Sequence, residues 1–580
     1  MRYLALCTDY DGTIARHGVV DDLTIDALAR LRESGRKLVM VTGRELPDLF
    51  SVFQRLDLFD LVVAENGALL YNPQTKEEKP LCEPPPPAFV AALQARNVAR
   101  LSVGRTIVAT WEPHERDALE VIRDLGLELQ VIFNKGAVMI LPSGVNKATG
   151  LKAALTELNL SVHNAVGVGD AENDHAFLGI CECAVAVANA LPSVQEKADF
   201  VTRATHGPGV TQLIDEMIAD DLMSREPSLR RHRILLGKTY LGEPVHFSPH
   251  GVNALIVGTS GGGKSTVAAG LVERLCQQQY TFCIVDPEGD YDSVESAVVL
   301  GSAEHPPEIE ECEQLLCKPD ENAVINLMGV KLNDRPWFFM TLFARLRDLR
   351  ARTGRPHWLI VDEAHHVLPS NWQPSDVSLP EVLEGVLLVS VTPSLLAKSL
   401  LRAVDTLVIL GDKPRQMLHE FTQANKLPMV DPPVEQIEAG DALLWSRTAN
   451  APPLLLKLEP SKVEHRRHLR KYAEGELPED RSFFFRGPQG KLKLRAPNLI
   501  TFMELGDGVD DDTWLFHLQR HEVSQWLREA IKDEELADKV AEVENEIDND
   551  ADASRKEVRK LIEAVYTLPA STAASARPSK

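Results

Sequence analysis

The sequence predicts an α/β protein: two doubly wound, mainly parallel sheets in tandem, followed by a small, mainly helical C-terminal domain. Three observations carry this expectation. At 580 residues the chain exceeds one core and points to about three or four domains. Short apolar runs alternate with amphipathic stretches over the first 220 residues and again after about residue 250, which is βαβ patterning. Acidic or glycine-rich clusters stand directly after those runs, where parallel sheets present their ligand sites.

The bulk composition is that of a soluble globular protein, 44% hydrophobic and 25% charged. Acids outnumber bases 85 to 62, a formal charge of −23. That balance disfavours a general outer-surface grip on nucleic acid or anionic membrane and leaves a local basic channel open. Eight cysteines without a CxxC pair indicate neither a zinc site nor a disulfide framework, and Cys312 and Cys317 read as ordinary thiols. A cytoplasmic setting is expected, with no secretory signal, no membrane span and no membrane partner.

The first apolar run, Tyr3 to Cys7, reads as a buried strand and leads into Asp9-Tyr10-Asp11-Gly12-Thr13. Leu23 to Glu33 repeats apolar residues at helical spacing and stops at Gly35. Lys37 to Val41 is a second buried strand, followed by Thr42-Gly43-Arg44. Far downstream, Asn164 to Val168 leads into Gly169-Asp170-Ala171-Glu172-Asn173-Asp174. Asp9 and Asp11 alternate along an extended backbone and would face the same side. Two carboxylates held together repel unless a cation lies between or beside them. Asp170 and Asp174, one helical turn apart, could serve that cation, and Lys147 could neutralise a phosphate. Any one of these motifs alone could be a turn or helix cap; their joint order argues for a site.

These motifs resemble the haloacid-dehalogenase-like (HAD) phosphohydrolases, of the Cof-type branch, over about residues 1–220. The resemblance implies Asp9 as nucleophile, and Asp11 as the acid that protonates the leaving oxygen and then the base that activates water. It implies Thr42 and Lys147 as stabilisers of the phosphoryl group. Mg²⁺ would be held by Asp9, Asp170, Asp174 and the backbone carbonyl of Asp11. Gly43, Arg44, Asn66 and Asn173 are the implied substrate contacts. A substrate-choosing α/β cap is placed at about 72–141, past the Pro84–Pro87 run, with a phosphorylated small molecule, in this branch commonly a sugar phosphate, as partner.

After a head at 1–222, residues 223–240 are expected to be a solvated, basic linker, and 241–460 a second α/β domain. There the strand Asn253 to Val257 is followed by Gly258-Thr259-Ser260-Gly261-Gly262-Gly263-Lys264-Ser265-Thr266 and an amphipathic stretch. This is the full P-loop form. Its backbone N–H groups and helix N-terminus cradle phosphates, Lys264 reaches the outer ones, and Ser265 binds Mg²⁺. Trp358 to Val361 ends in Asp362-Glu363-Ala364-His365-His366. Asp362 would orient Mg²⁺, and Glu363 would polarise the attacking water, which favours hydrolysis over transfer.

Together with Asp286 to Tyr291, and with Leu387 to Ser394, these residues resemble HerA/FtsK/VirB4-type motor ATPases. Relatives often read Thr-Gln-x-Pro-Ser where this chain has Ser390-Val391-Thr392-Pro393-Ser394, a departure that leaves ATP hydrolysis in place and bears on its coupling to DNA movement. Arg402 and Arg415 are arginine-finger candidates. Residues 461–568 read as an accessory domain that resembles an uncharacterised bacterial module, and 569–580 as a disordered tail.

The first functional reading is a bifunctional hydrolase: a Mg²⁺-dependent phosphomonoester phosphatase joined to an ATP-binding and ATP-hydrolysing domain. Three others stay open. One is a ring-forming, homo-oligomeric DNA translocase with a regulatory head and nucleic acid as partner. The second is a polynucleotide end-processing kinase-phosphatase. The third makes the ATP site a switch on the phosphatase.

Overall fold

The structure is a computed structural model. It describes residues 1–134, 136–259, 262–292, 294–372, 385–447, 451–461, 477, 481–531, 533–546 and 550–566. The chain divides into two compact units, Met1–Glu459 and Pro460–Lys580.

The alternation of apolar runs and amphipathic stretches builds the first sheet. Its strands are β1 (Ala5–Thr8), β2 (Lys37–Val41), β3 (Leu61–Ala64), β4 (Leu69–Asn72) and β5 (Glu77–Pro80). After the cap strands β6 (Ser102–Val103), β7 (Val108–Trp111), β8 (Leu129–Asn134) and β9 (Ala137–Pro142) come β10 (Ala165–Gly169), β11 (Cys183–Ala186) and β12 (Phe200–Val201). The order is β12-β11-β10-β1-β2-β3-β4-β5. β12 through β3 run parallel, and β4 and β5 close the edge antiparallel. β1 lies at the centre with every residue buried, as a strand covered by helices on both faces must be.

The cap is a separate antiparallel sheet, β6-β7-β9-β8, with its own core around Phe89, Leu93, Val108, Val121 and Ile140. Glu65, just past β3, ties it to the sheet below. Its buried carboxylate accepts from the N–H groups of Arg105 (2.8 Å), Thr106 (2.7 Å) and Ile107 (3.1 Å), and from the Thr106 hydroxyl (2.7 Å).

The second sheet adds β13 (Ile234–Thr239), β14 (Pro244–Phe247), β15 (Asn253–Gly258), β16 (Phe282–Asp286), β17 (Val298–Leu300) and β18 (Ala323–Asn326). It continues with β19 (Trp358–Val361), β20 (Val386–Ser390), β21 (Thr406–Leu410), β22 (Asp441–Ser446) and β23 (Leu454–Leu458). Their order is β14-β13-β23-β22-β21-β15-β20-β19-β16-β18-β17. The seven strands from β21 to β17 are parallel, as expected for a doubly wound sheet. The other four extend it antiparallel, because the short connections between β13 and β14, and between β22 and β23, can reach only an antiparallel neighbour.

The 223–240 segment is packed rather than solvated. Arg225 forms two bonds to Glu216, and Arg231 bonds Asp199 and the carbonyl oxygens of Leu178 and Cys181. Its last residues are β13. The charge of Arg225 and Arg231 is satisfied by acceptors of the first 222 residues.

A buried polar joint links the first sheet to the second. Glu182 accepts from Arg2 (3.0 Å), from Tyr280 (2.7 Å) and from His163 Nδ1 (2.6 Å), while His163 Nε2 donates to the Gln278 carbonyl (2.7 Å). Gln278 caps the helix Lys264–Gln277, so this bond also satisfies an end carbonyl of that helix.

In the second unit the hairpin Phe483–Phe485 with Leu494–Ala496 packs on helices from Leu499 to Val565, around Phe483, Phe485, Phe502, Trp514 and Trp526. The basic stretch Glu464 to Tyr472, apart from the sequence itself, and the tail 569–580 lie outside the described residues.

Candidate functional site

Register sets the first site. Thr8 pairs with Val168 of β10 on one side and Met40 of β2 on the other, so the chain leaves all three strands at one level. Asp9, Asp170 and Thr42 therefore emerge side by side. Asp9, Asp170 and Asp174 are buried, and one oxygen of each lies within 4.8 Å of the others.

Lys147 begins the helix Lys147–Glu157, whose cap Asn146 accepts from the N–H groups of Ala148 and Thr149. Its side chain is 1% exposed, and Nζ lies 2.6 Å from both Asp9 Oδ1 and Asp174 Oδ1. The other Asp174 oxygen accepts from the N–H groups of Asp170 (2.8 Å) and Ala171 (2.9 Å). Thr13, which sequence reasoning passed over as part of the motif, donates toward Asp170 Oδ1 (3.2 Å). Gly12 sits at φ +89°, and a Cβ there would stand 2.3 Å from Asp170 Oδ2.

Burial, opposed by Lys147 and reinforced by Asp174 and Asp170, pushes the Asp9 carboxyl up to about 7. Burial works against the Lys147 ammonium, but Asp174 and Asp9 outweigh it and raise its pKa. Three convergent carboxylates, two of them on the Lys147 ammonium, form a hard oxygen donor set that fits a divalent cation such as Mg²⁺.

Asp11 is directed elsewhere. Arg44 grips its carboxylate with Nε at 2.6 Å and Nη2 at 2.8 Å, and the third guanidinium nitrogen, Nη1, bonds Asp48. Thr42 is buried, and its hydroxyl accepts from the Arg44 N–H (3.2 Å), across the turn at Gly43. Asn66, on left-handed backbone at φ 55°, accepts from Asn173 Nδ2 (3.3 Å), so these two predicted contacts meet.

The second site stands at the ends of β15, β20 and β19. Gly263, at φ 87°, turns the chain into the helix Lys264–Gln277, placing Ser265 and Thr266 in its first turn. Gly258 leaves β15 so close to Leu410 that a Cβ would meet its carbonyl at 2.8 Å. Lys264 is buried and its Nζ reaches back to the Thr259 carbonyl (3.4 Å), and the Gly262 N–H bonds the same oxygen (2.9 Å). Ser260 and Gly261 lie outside the described residues.

β20 lies between β15 and β19, so one strand separates the loop from Asp362. Asp362 is buried, and its Oδ1 accepts from the Glu363 N–H (3.0 Å). Glu363 itself has left-handed backbone, φ 38° and ψ 49°. Asp286, at the end of β16, orders the following loop by accepting from the N–H groups of Glu288, Gly289 and Tyr291. Burial, with Asp362 adding to it, pushes Asp286 up to about 7. Its motif was legible in the sequence, but its position against Asp362 depends on strand order. Arg415 pairs with Glu435 (3.0 Å) on the surface.

One more set of donors, from His163, Glu182 and His232, comes within 4.8 Å. Glu182 already receives Arg2, Tyr280 and His163, and faces His250 at 3.2 Å, so its lone pairs are occupied and the cluster is a closed joint.

A family model for haloacid dehalogenase-like hydrolases matches residues 6–93 and 116–214, and one for the central domain of helicase HerA matches residues 253–338. The phosphoglycolate phosphatase of Haloarcula marismortui is 31% identical over 233 residues, 36% of this chain and 95% of that protein. That of Methanothermobacter thermautotrophicus is 29% identical over 218 residues, 36% of this chain and 96% of its own. A solved haloacid dehalogenase-like hydrolase from Bacteroides thetaiotaomicron is 18% identical, covers 37% of this chain and 99% of its own, and has a TM-score of 0.34. Among the described residues no helix is long and apolar enough to cross a membrane.

Proposed function

Since this chain belongs, through its first 220 residues or so, to the haloacid dehalogenase-like hydrolases and carries a HerA-like domain behind them, it is a hydrolase, and we propose that it is a bifunctional one. The head is a phosphomonoester phosphatase and the middle binds and hydrolyses ATP. The proposed bounds are 1–222 with the cap at 72–141, 241–460, and 461–568, in a cytoplasmic protein.

The observation that carries the first half is the convergence of Asp9, Asp170 and Asp174, with Lys147 bridging Asp9 and Asp174. These three aspartates, with the backbone of Asp11, would hold Mg²⁺, which when bound screens the negative charge of phosphate and nucleophile from each other. Asp9 attacks phosphorus through a carboxylate oxygen and carries the phosphoryl group as an aspartyl phosphate. Asp11, released from Arg44, protonates the departing alkoxide and then takes a proton from the water that cleaves the aspartyl phosphate. Lys147 keeps Asp9 in place and offsets the charge on the transferring group, with the Thr42 hydroxyl beside it. Gly43, Arg44, Asn66 and Asn173 would contact the substrate.

The named relatives make a small phosphorylated carboxylic acid, phosphoglycolate, the first substrate to test, beside sugar phosphates. Phosphate release from such a panel with Mg²⁺ should vanish in Asp9→Asn and persist in Lys264→Ala. Turnover surviving in Asp9→Asn would sink the assignment.

In the middle, the loop Gly258–Thr266 and Lys264 would hold the phosphates of ATP, Ser265 and Asp362 its Mg²⁺, and Glu363 would polarise the attacking water. The match to the HerA central domain favours a second reading, a ring-forming DNA translocase. An oligomeric mass together with DNA-stimulated ATP hydrolysis supports it; a monomer indifferent to DNA refutes it.

A further inference from the structure

Glu363 has a neighbour that neither the sequence motifs nor the family matches assign a task. His365 follows it by two residues and points back, with Nδ1 3.3 Å from Glu363 Oε2. The same nitrogen lies 3.3 Å from the hydroxyl of Ser390, the last residue of β20. The Ser390 hydroxyl is itself 3.3 Å from the Thr392 carbonyl, an acceptor only. When Ser390 gives its proton to Thr392, it turns a lone pair toward His365. Nδ1 thus lies within hydrogen-bond reach of the serine oxygen and at ion-pair distance from the glutamate carboxylate, and on the tautomer that protonates Nδ1 both face it as acceptors.

The location gives this contact its meaning. β20 is the strand between β15, which leads into the loop Gly258–Lys264, and β19, which ends at Asp362. Val257 pairs with Ser390, and the Gly258 N–H bonds the Val391 carbonyl (3.2 Å). Ser390 thus belongs to the strand that touches the loop, and Glu363 to the strand that carries the acidic pair. His365 bridges the two tips. Glu363 also stands on left-handed backbone, a conformation that a residue with a side chain keeps only when its surroundings enforce it.

We propose that His365 is the positioning residue for Glu363: its Nδ1–H fixes the direction of the water-polarising carboxylate and ties it to the β20 tip beside the phosphate loop. The inference rests on the reading of Glu363 as that carboxylate. Burial, with His366 and Lys264 adding to it, lowers the His365 imidazole to about 4, so at neutral pH the ring has one N–H to give.

The test uses the full chain, with ATP turnover, KM and binding of a fluorescent ATP analogue measured for His365→Ala, His365→Asn and His365→Gln, beside Lys264→Ala and Glu363→Gln. A displaced catalytic group costs about a hundredfold in turnover, so His365→Ala should lower kcat by that order while KM and analogue binding stay within about twofold. Asn places an amide N–H near the position of Nδ1 and should recover most of kcat; Gln, which mimics Nε2, should not. His365→Ala turning over at the wild-type rate, or Gln rescuing as well as Asn, overturns the proposal. Failure of the underlying reading looks different: Glu363→Gln would then hydrolyse ATP as fast as wild type. Analogue binding retained by His365→Ala shows that the site is folded, and a loss of binding in all three His365 variants would refute a role limited to positioning.

Discussion

Lys147→Met is the perturbation that best tests the head. Lys147 is buried and bridges Asp9 and Asp174 at 2.6 Å each, so replacing it by an isosteric apolar chain leaves two buried carboxylates facing each other. Removing one partner of a buried ion pair costs about 3–5 kcal/mol. The loss should grow with pH. With the ammonium gone, the Asp9 carboxyl, already raised to about 7, rises further above its ordinary 3.8. A carboxyl raised on folding contributes most stability below its unfolded pKa and loses it as pH rises through the folded value. Urea unfolding of wild type and variant at pH 6 and pH 8, followed by tryptophan fluorescence and circular dichroism, should show the larger deficit at pH 8. Mg²⁺ should then restore part of it, about 2.7 kcal/mol at a hundredfold excess over its Kd, while phosphatase turnover stays low. A variant as stable as wild type at both pH values, and indifferent to Mg²⁺, would refute the view that these aspartates crowd one cation site.

Gly12→Ala should fold but lose turnover by about a hundredfold, since its Cβ would meet Asp170 Oδ2 at 2.3 Å and push a cation ligand aside; steady-state rates on a generic phosphoester check this. Glu65→Ala removes the acceptor of four cap hydrogen bonds, so the cap should loosen, raising KM more than it lowers kcat, and amide exchange at Thr106 and Ile107 should quicken. The joint around Glu182 should weaken in acid. Burial, with Arg2 adding to it, holds His250 down to about 4 from an ordinary 6.5, and burial holds His357 well below that ordinary value. Protons taken up by the unfolded chain but refused by the folded one lower stability as pH falls from about 6.5 toward 4. His250→Gln should flatten that part of the profile, read as the urea midpoint against pH.

Much of this protein is local, and local features can be read from the chain. The order of apolar runs and of acidic or glycine-rich tips determined two βαβ layers and the side of each sheet on which chemistry would sit, because a parallel sheet offers its ligands one edge. Asp9, Asp170 and Asp174 were legible because each directly follows a buried run, and Lys264 because its loop has a fixed form. Strand order is not local. Only the folded sheets decided that β20 would separate the phosphate loop from Asp362, that Asp286 would face Asp362, and that His365 would bridge Glu363 and Ser390. The same holds for Arg44, which closes on Asp11, and for the basic 223–240 segment, whose Arg225 and Arg231 found acceptors in the head. Pairing partners are chosen by which surfaces bury together, and for residues hundreds of positions apart the sequence pattern carries the need for a partner without its identity.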